Sequence, residues 1–158
     1  MSGTPSENVS PSIRAALAVR FRGAVVLAAA VLALAVGWSM RPSPAGYGTH
    51  RQMGLPGCQW LARTGYPCPS CGLTTSVSAA CRGRLATAAY AHPAGIVLAL
   101  GLYAAAAAGL WEALTARGVL GRLAPRIHWY ALALVAAVLA GWALVLLTGL
   151  ANGRWPTH

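Results

Sequence analysis

Four cysteines carry the most concentrated chemistry in this chain: Cys58, Cys68, Cys71 and Cys81, spaced C-x9-C-x2-C-x9-C. The central pair reads Cys68-Pro69-Ser70-Cys71-Gly72. A two-residue gap lets both sulfurs point at one centre. The proline fixes a backbone angle within the turn, and glycine after the second cysteine permits a positive φ. This CPxCG knuckle is the half-site from which zinc ribbons and rubredoxin-like iron sites are built. A second knuckle is missing, so a tetrahedral site needs Cys58 and one more ligand, with Cys81, His50 and His92 as the candidates. Cys58 follows Pro56-Gly57 in the same stretch and can fold back readily. Cys81 lies ten residues beyond Cys71. That is about 15 Å of rise along a continuous helix, so Cys81 needs a bend to return.

Three chemistries fit this pattern. In the first, Cys58, Cys68 and Cys71 with a fourth ligand hold a structural metal, zinc before any other. In the second, Cys68 and Cys71 are a thiol–disulfide pair, since a Cys-x-x-Cys at a helix start can have a lowered thiol pKa, and Cys58 is the exchange partner. In the third, the cysteines are small buried residues or static disulfides bracing a loop. A metal thiolate is easier to maintain facing the cytoplasm, whereas an oxidising outer face favours disulfides.

The rest of the inventory removes several function classes. Glu7 and Glu112 are the only acidic residues. Paired-carboxylate catalysis, a carboxylate-rich calcium or magnesium site and an Asp-based triad therefore cannot be assembled. The chain is 57% hydrophobic and 9% charged. A soluble domain carries roughly 25% charged residues, so a lipid bilayer is the solvent that makes this composition sensible. All twelve basic residues are Arg, and with the Ala and Gly excess this is a composition that a GC-rich bacterial genome produces. A formal charge of +10 raises nucleic acid as a partner. The arginines instead cluster at the ends of apolar runs, where they face lipid headgroups, and nucleic acid is not expected.

The elements that must position the cysteines follow from hydropathy. Residues 1–13 are polar and read as a disordered tail. Three apolar runs are long enough to span a bilayer, at about 23–40, 92–111 and 129–149. Trp38, Trp111 and Trp129 each mark a span end at headgroup level. Ala33-Leu34-Ala35 also resembles a cleavage site, so a removed signal peptide is the competing reading of the first run. Between the first two spans, residues 41–91 form the cysteine loop. Its density of Pro and Gly up to Gly72 forbids a long helix or strand. From Leu73 onward the pattern turns helical, predicting a short interfacial helix with a turn at Arg82-Gly83-Arg84.

Counting Arg on each side of the spans gives a tie. The dense 115–128 segment decides for a cytoplasmic N-terminus and an outward cysteine loop. Gly101, Ala105 and Gly109 on the second span, and Ala137 with Gly141 on the third, offer faces for close helix packing or a homo-oligomer. His92, before Pro93, reads first as a helix cap, and so do Thr74, Thr75 and Ser76. Glu112, next to Trp111, reads as an interfacial carboxylate near Arg117.

The loop also resembles a known bacterial family. Cys58, the run Gly65-Tyr66-Pro67-Cys68-Pro69-Ser70-Cys71-Gly72-Leu73-Thr74, then Arg82-Gly83 and His92-Pro93 ahead of an apolar span, are similar to the domain-of-unknown-function 2752 family over about residues 56–110. The resemblance implies a small membrane protein of unassigned role and singles out Cys58, Cys68, Cys71, Gly72 and Thr74. Thr75 stands where that family usually has Arg, and His92 where it has Asn. Cys81 has no counterpart in the family pattern.

The expected architecture is therefore all-α and membrane-integral in a bacterial inner membrane, with three transmembrane helices forming a single membrane domain over 14–158. The function expected first is a non-enzymatic scaffold or an accessory subunit of another membrane protein. A membrane thiol–disulfide oxidoreductase using Cys68 and Cys71 comes second, and an oligomeric channel or transporter component third.

Overall fold

A computed structural model describes residues 10–156 of the chain. Three of its helices are long and apolar enough to cross a membrane: α1 (Pro11–Ser39), α5 (Ala94–Thr115) and α7 (Ile127–Ala151). Four short helices lie between them: α2 (Gln59–Thr64), α3 (Leu73–Cys81), α4 (Leu85–Ala91) and α6 (Val119–Leu123). No strand occurs among the described residues. Within the most apolar window of each spanning helix only 11–22% of residues are buried inside the fold. The remaining apolar side chains need hydrocarbon around them, which makes this an integral membrane protein.

Helix α1 begins well before the apolar run expected at 23–40. The polar tail expected over 1–13 lies largely outside the described residues, and its last three, Pro11, Ser12 and Ile13, are already helical. The reason is that charge ends a hydrocarbon span without ending a helix. Residues 12–22 contain Ala, Leu and Arg, all good helix formers, and Pro11 sits in the first turn, where proline is tolerated. At its other end Met40 is extended, and Pro42 and Pro44 prevent resumption.

Helices α1 and α5 form the most extensive helix pair. Their backbones touch at Gly23 and Gly109. A Cβ on Gly23 would lie 2.7 Å from the Gly109 carbonyl oxygen, and one on Gly109 would lie 2.8 Å from that of Gly23. Of the small-residue face expected on the second span, Gly109 makes this contact, whereas Gly101 faces open space. Next to the crossing, Glu112 is fully buried. It accepts from Arg22 Nε at 3.1 Å and Nη2 at 3.0 Å, and from the Leu120 backbone N–H. The partner of Glu112 is thus Arg22 of α1, 90 residues away, and not the nearby Arg117. A buried carboxylate needs a cation and hydrogen bonds together: Arg22 of α1 supplies the cation and two bonds, and the Leu120 N–H of α6 a third.

The stretch expected as an interfacial helix is the pair α3 and α4, broken at Arg82-Gly83-Arg84. Helix α3 packs on α1 and α5 through its small polar residues: Thr75, Ser76 and Ser78 are fully buried. Ser78 Oγ donates to the Met40 carbonyl at 2.6 Å, and Arg82 bonds the same oxygen. These bonds close the open end of α1. The chain's last described residues fold back over the loop. Arg154 donates to the carbonyls of Ala45 (2.7 Å) and Tyr90 (3.3 Å), and buried Trp155 lies against Tyr47 and Gly149.

Replacing Arg22 by Met leaves the Glu112 carboxylate buried without its cation. The expected loss of stability is at the low end of the ~3–5 kcal/mol seen when one member of a buried pair is removed, because the Arg22 side chain is 44% exposed. Arg22→Met with Glu112→Leu should recover most of that loss in thermal unfolding in detergent. A single Arg22→Met variant as stable as the parent would contradict this account of the pair.

Candidate metal centre

The loop from Arg41 to Gly72 has no sheet and no long helix, so its cysteines are placed by caps and turns. Cys58 is the N-cap residue of α2, and its Sγ accepts the Leu61 N–H at 3.5 Å. Cys68 and Cys71 close a turn through the Cys71 N–H to Cys68 carbonyl bond (2.9 Å), followed by Leu73 N–H to Ser70 carbonyl (3.1 Å). Gly72 then takes φ +90° and starts α3. A side chain there would collide with the Ala91 carbonyl and lie 2.9 Å from that of Gly46, so the glycine after the knuckle is required twice, by conformation and by close approach. With Gly72 as the cap, the hydroxyls expected to cap α3 turn elsewhere. Thr75 bonds Thr49 (2.8 Å, both fully buried), and Ser76 packs against Gly95.

These turns bring three sulfurs together. The Sγ atoms of Cys58, Cys68 and Cys71 all lie within 4.8 Å of one another, and Cys58 and Cys68 are 3.5 Å apart. A tetrahedral zinc with bonds of about 2.3 Å spaces its sulfurs about 3.8 Å apart, so the cluster matches a metal-thiolate face within small side-chain rotations. Three cysteines are close enough to hold a metal ion.

The other candidate ligands sit elsewhere. Cys81, buried on the last turn of α3, faces α1, with its Sγ 3.2 Å from where a Cβ on Gly37 would stand. His92 is fully buried at the α4–α5 junction, and its Nε2 bonds the Pro69 carbonyl at 3.1 Å. Its ring lies against Gly141 of α7, in space that only glycine leaves open. His92 thus holds the knuckle backbone; neither it nor Pro93, the N-cap residue of α5, makes a side-chain cap there. His50 Nε2 bonds the Pro56 carbonyl at 3.0 Å. Its ring borders both clefts that flank the sulfurs, one of about 470 Å³ and one of about 320 Å³.

A second clamp escaped the sequence reading. Trp142 Nε1 of α7 donates to the Pro67 carbonyl at 2.8 Å. The signal was present in position: Trp38, Trp111 and Trp129 end spans, whereas Trp142 lies deep within one, where an indole N–H needs a partner.

The thiols of the knuckle are electrically unequal. Burial works against ionising Cys68, but hydrogen bonds from Ser70 and Cys58 outweigh it and hold this thiol below its ordinary range. Cys71 is pushed up to about 12, by burial first and then by the neighbouring Cys68 and Cys58 charges. A cation at the cluster would reverse the second effect, since a coordinating thiol is deprotonated outright. Without one, Cys68 is the nucleophile and Cys71 keeps its proton. In reduced, metal-free protein at pH 8, iodoacetamide should therefore modify Cys68 at least about tenfold faster than Cys71, as read by peptide mass spectrometry. Equal rates, or Cys71 reacting first, would contradict the asymmetry.

Residues 58–106 match the model of a family described as "Protein of unknown function (DUF2752)". The matched segment begins at Cys58 and takes in the knuckle, α3, α4 and the first half of α5, and it leaves out α1 and α7. No curated protein and no solved structure matches the chain. The segment that carries the three clustered thiols is thus similar to the DUF2752 family.

Proposed function

We propose that Cys58, Cys68 and Cys71 hold a zinc ion, and that the protein is a non-enzymatic scaffold or accessory subunit of a bacterial inner membrane. The observation that carries this reading is the convergence of three sulfurs from two separate turns onto one point, within a loop that has no core of its own. Zinc suits the donor set. It accepts thiolates in tetrahedral geometry, needs no redox partner, and occurs with three protein ligands and a fourth position filled from outside. The ion would join Cys58 on α2 to the knuckle ahead of α3, tying the loop to the bundle. The dense arginines at Arg117, Arg122 and Arg126 favour a cytoplasmic N-terminus with the loop outside, whereas zinc thiolates favour a loop facing the cytoplasm, so finding the metal would reverse that topology.

A second reading rests on the unequal thiols. An ionisable Cys68 followed by a protonated, buried Cys71 is the arrangement of a thiol–disulfide exchanger, in which Cys68 attacks and Cys71 or Cys58 resolves.

One preparation separates the two. Elemental analysis of detergent-purified protein should find about one zinc per chain, with Cys58, Cys68 and Cys71 resisting alkylation until a chelator is added. Cys58→Ser, Cys68→Ser and Cys71→Ser should each lose the metal and lower the melting temperature to a similar degree, while Cys81→Ser keeps both. Protein without metal, whose thiols appear only after reduction, would remove the zinc reading and leave disulfide exchange.

A further inference from the structure

The donor set leaves a zinc ion at this cluster one ligand short, and the surroundings indicate what completes it. Structural zinc sites close on four protein ligands, whereas sites that bind an external molecule keep three and leave one position open. Among the described residues, three sulfurs form the cluster and no fourth His, Cys or carboxylate joins it. Each other candidate is engaged elsewhere: Cys81 against α1, His92 on the Pro69 carbonyl, His50 on the Pro56 carbonyl. Two clefts reach the sulfurs: the smaller is lined by all three cysteines, and the larger, about 470 Å³, by Cys58 and Cys71 together with His50, Arg51, Tyr47 and Gln59. That volume accommodates a small molecule.

The charge of the cleft narrows the ligand further. Neither of the chain's two acidic residues falls in the loop, since Glu7 lies in the N-terminal tail and Glu112 at the far end of α5. Arg51, at the cleft wall, has no side-chain hydrogen bond or ion pair among the described residues and is exposed. A thiolate-bound zinc accepts a further soft donor, and the Arg51 guanidinium in the same cleft favours an anion and offsets the added negative charge.

We infer that the larger cleft binds a small thiol bearing an anionic group, with its sulfur as the fourth ligand to the metal and its anionic group on Arg51. The inference rests on the zinc reading above. With a metal held by Cys58, Cys68 and Cys71, the thiol would give its proton to solvent and its sulfur would take the fourth position in place of a solvent molecule. Nothing is oxidised or reduced.

The test uses the full-length protein in a neutral detergent with cobalt(II) in place of zinc, and 2-mercaptoethanesulfonate as the probe. Without the probe, thiolate-to-cobalt charge transfer should be present. The probe should raise it saturably by about one third, as three thiolates become four. Cysteamine, a thiol with a cationic tail, should bind about tenfold more weakly. Arg51→Gln should weaken the sulfonate probe by about tenfold and erase that preference. Arg63→Gln, which removes another exposed arginine, on α2, that does not line the cleft, should leave both intact. Charge transfer that does not respond to the probe would overturn the inference while leaving the metal site standing. So would a change in the cobalt d–d bands on His50→Ala in the absence of probe, because His50 would then close the site. Equal effects of Arg51→Gln and Arg63→Gln would overturn the placement in this cleft. A complete lack of thiolate charge transfer would overturn the zinc reading and the inference with it.

Discussion

A chain that places prolines at 67 and 69 around Cys68 gives up two backbone donors, and it leaves carbonyls that neither a helix nor a sheet can satisfy. In this protein those carbonyls are taken by side chains from beyond the loop, Pro67 by the Trp142 indole and Pro69 by the His92 imidazole. Much of the loop end follows from these two bonds. His92 can reach Pro69 because Gly141 leaves room for its ring, and that contact brings α7 against the start of α5. Gly72 can pass beneath Ala91 because it lacks a side chain, so the knuckle lies flat on the α4–α5 junction. The sulfurs are thus referenced to the spans, and a loop without a core acquires a defined geometry.

The opposite end of the bundle solves a different problem by similar means. Lipid provides no hydrophobic drive for one helix to seek another, so close backbone contact and buried polar pairing must do it. Gly23 and Gly109 provide the first, Arg22 and Glu112 the second, on adjacent turns of the same two helices. Helix α7 is fastened at one end, through Gly141, Val145 and Gly149, while residues 127–136 remain exposed along their length. Its attachment therefore depends on the loop as much as the loop depends on it, through Trp142 and through the returning tail at Arg154 and Trp155.

What could be read in advance followed from local physics. Three uncharged apolar runs of sufficient length, ended by Trp and Arg, can hardly be anything but spans. Helix α1 extends beyond its apolar run because hydropathy reports where hydrocarbon ends, and Arg14, Arg20 and Arg22 end the one without ending the other. The knuckle and Cys58 were visible as residue types and spacing, and they converge here. Long-range partners were out of reach. Nothing near Glu112 in sequence points to Arg22, and nothing near Cys68 points to Trp142, since such pairs are decided by helix register across the bundle. His92 and the Thr74-Thr75-Ser76 run looked like caps because such residues commonly are. The use of His92, Thr75 and Ser76 as inward-facing bonds and packing surfaces depends on α3 being docked by its polar side, which a single helix pattern does not reveal.

The central claim is that three thiolates, Cys58, Cys68 and Cys71, form a metal site with one position left for an external ligand. X-ray absorption at the zinc edge on the detergent-purified protein tests it most directly. The account predicts a first shell of three sulfurs at about 2.3 Å and one lighter oxygen or nitrogen at about 2.0–2.1 Å. The light-atom distance should be unchanged in His50→Ala and His92→Asn. A shell of four sulfurs in thiol-free buffer, which would require Cys81 to leave its seat against α1, would contradict the account, as would protein that retains no zinc.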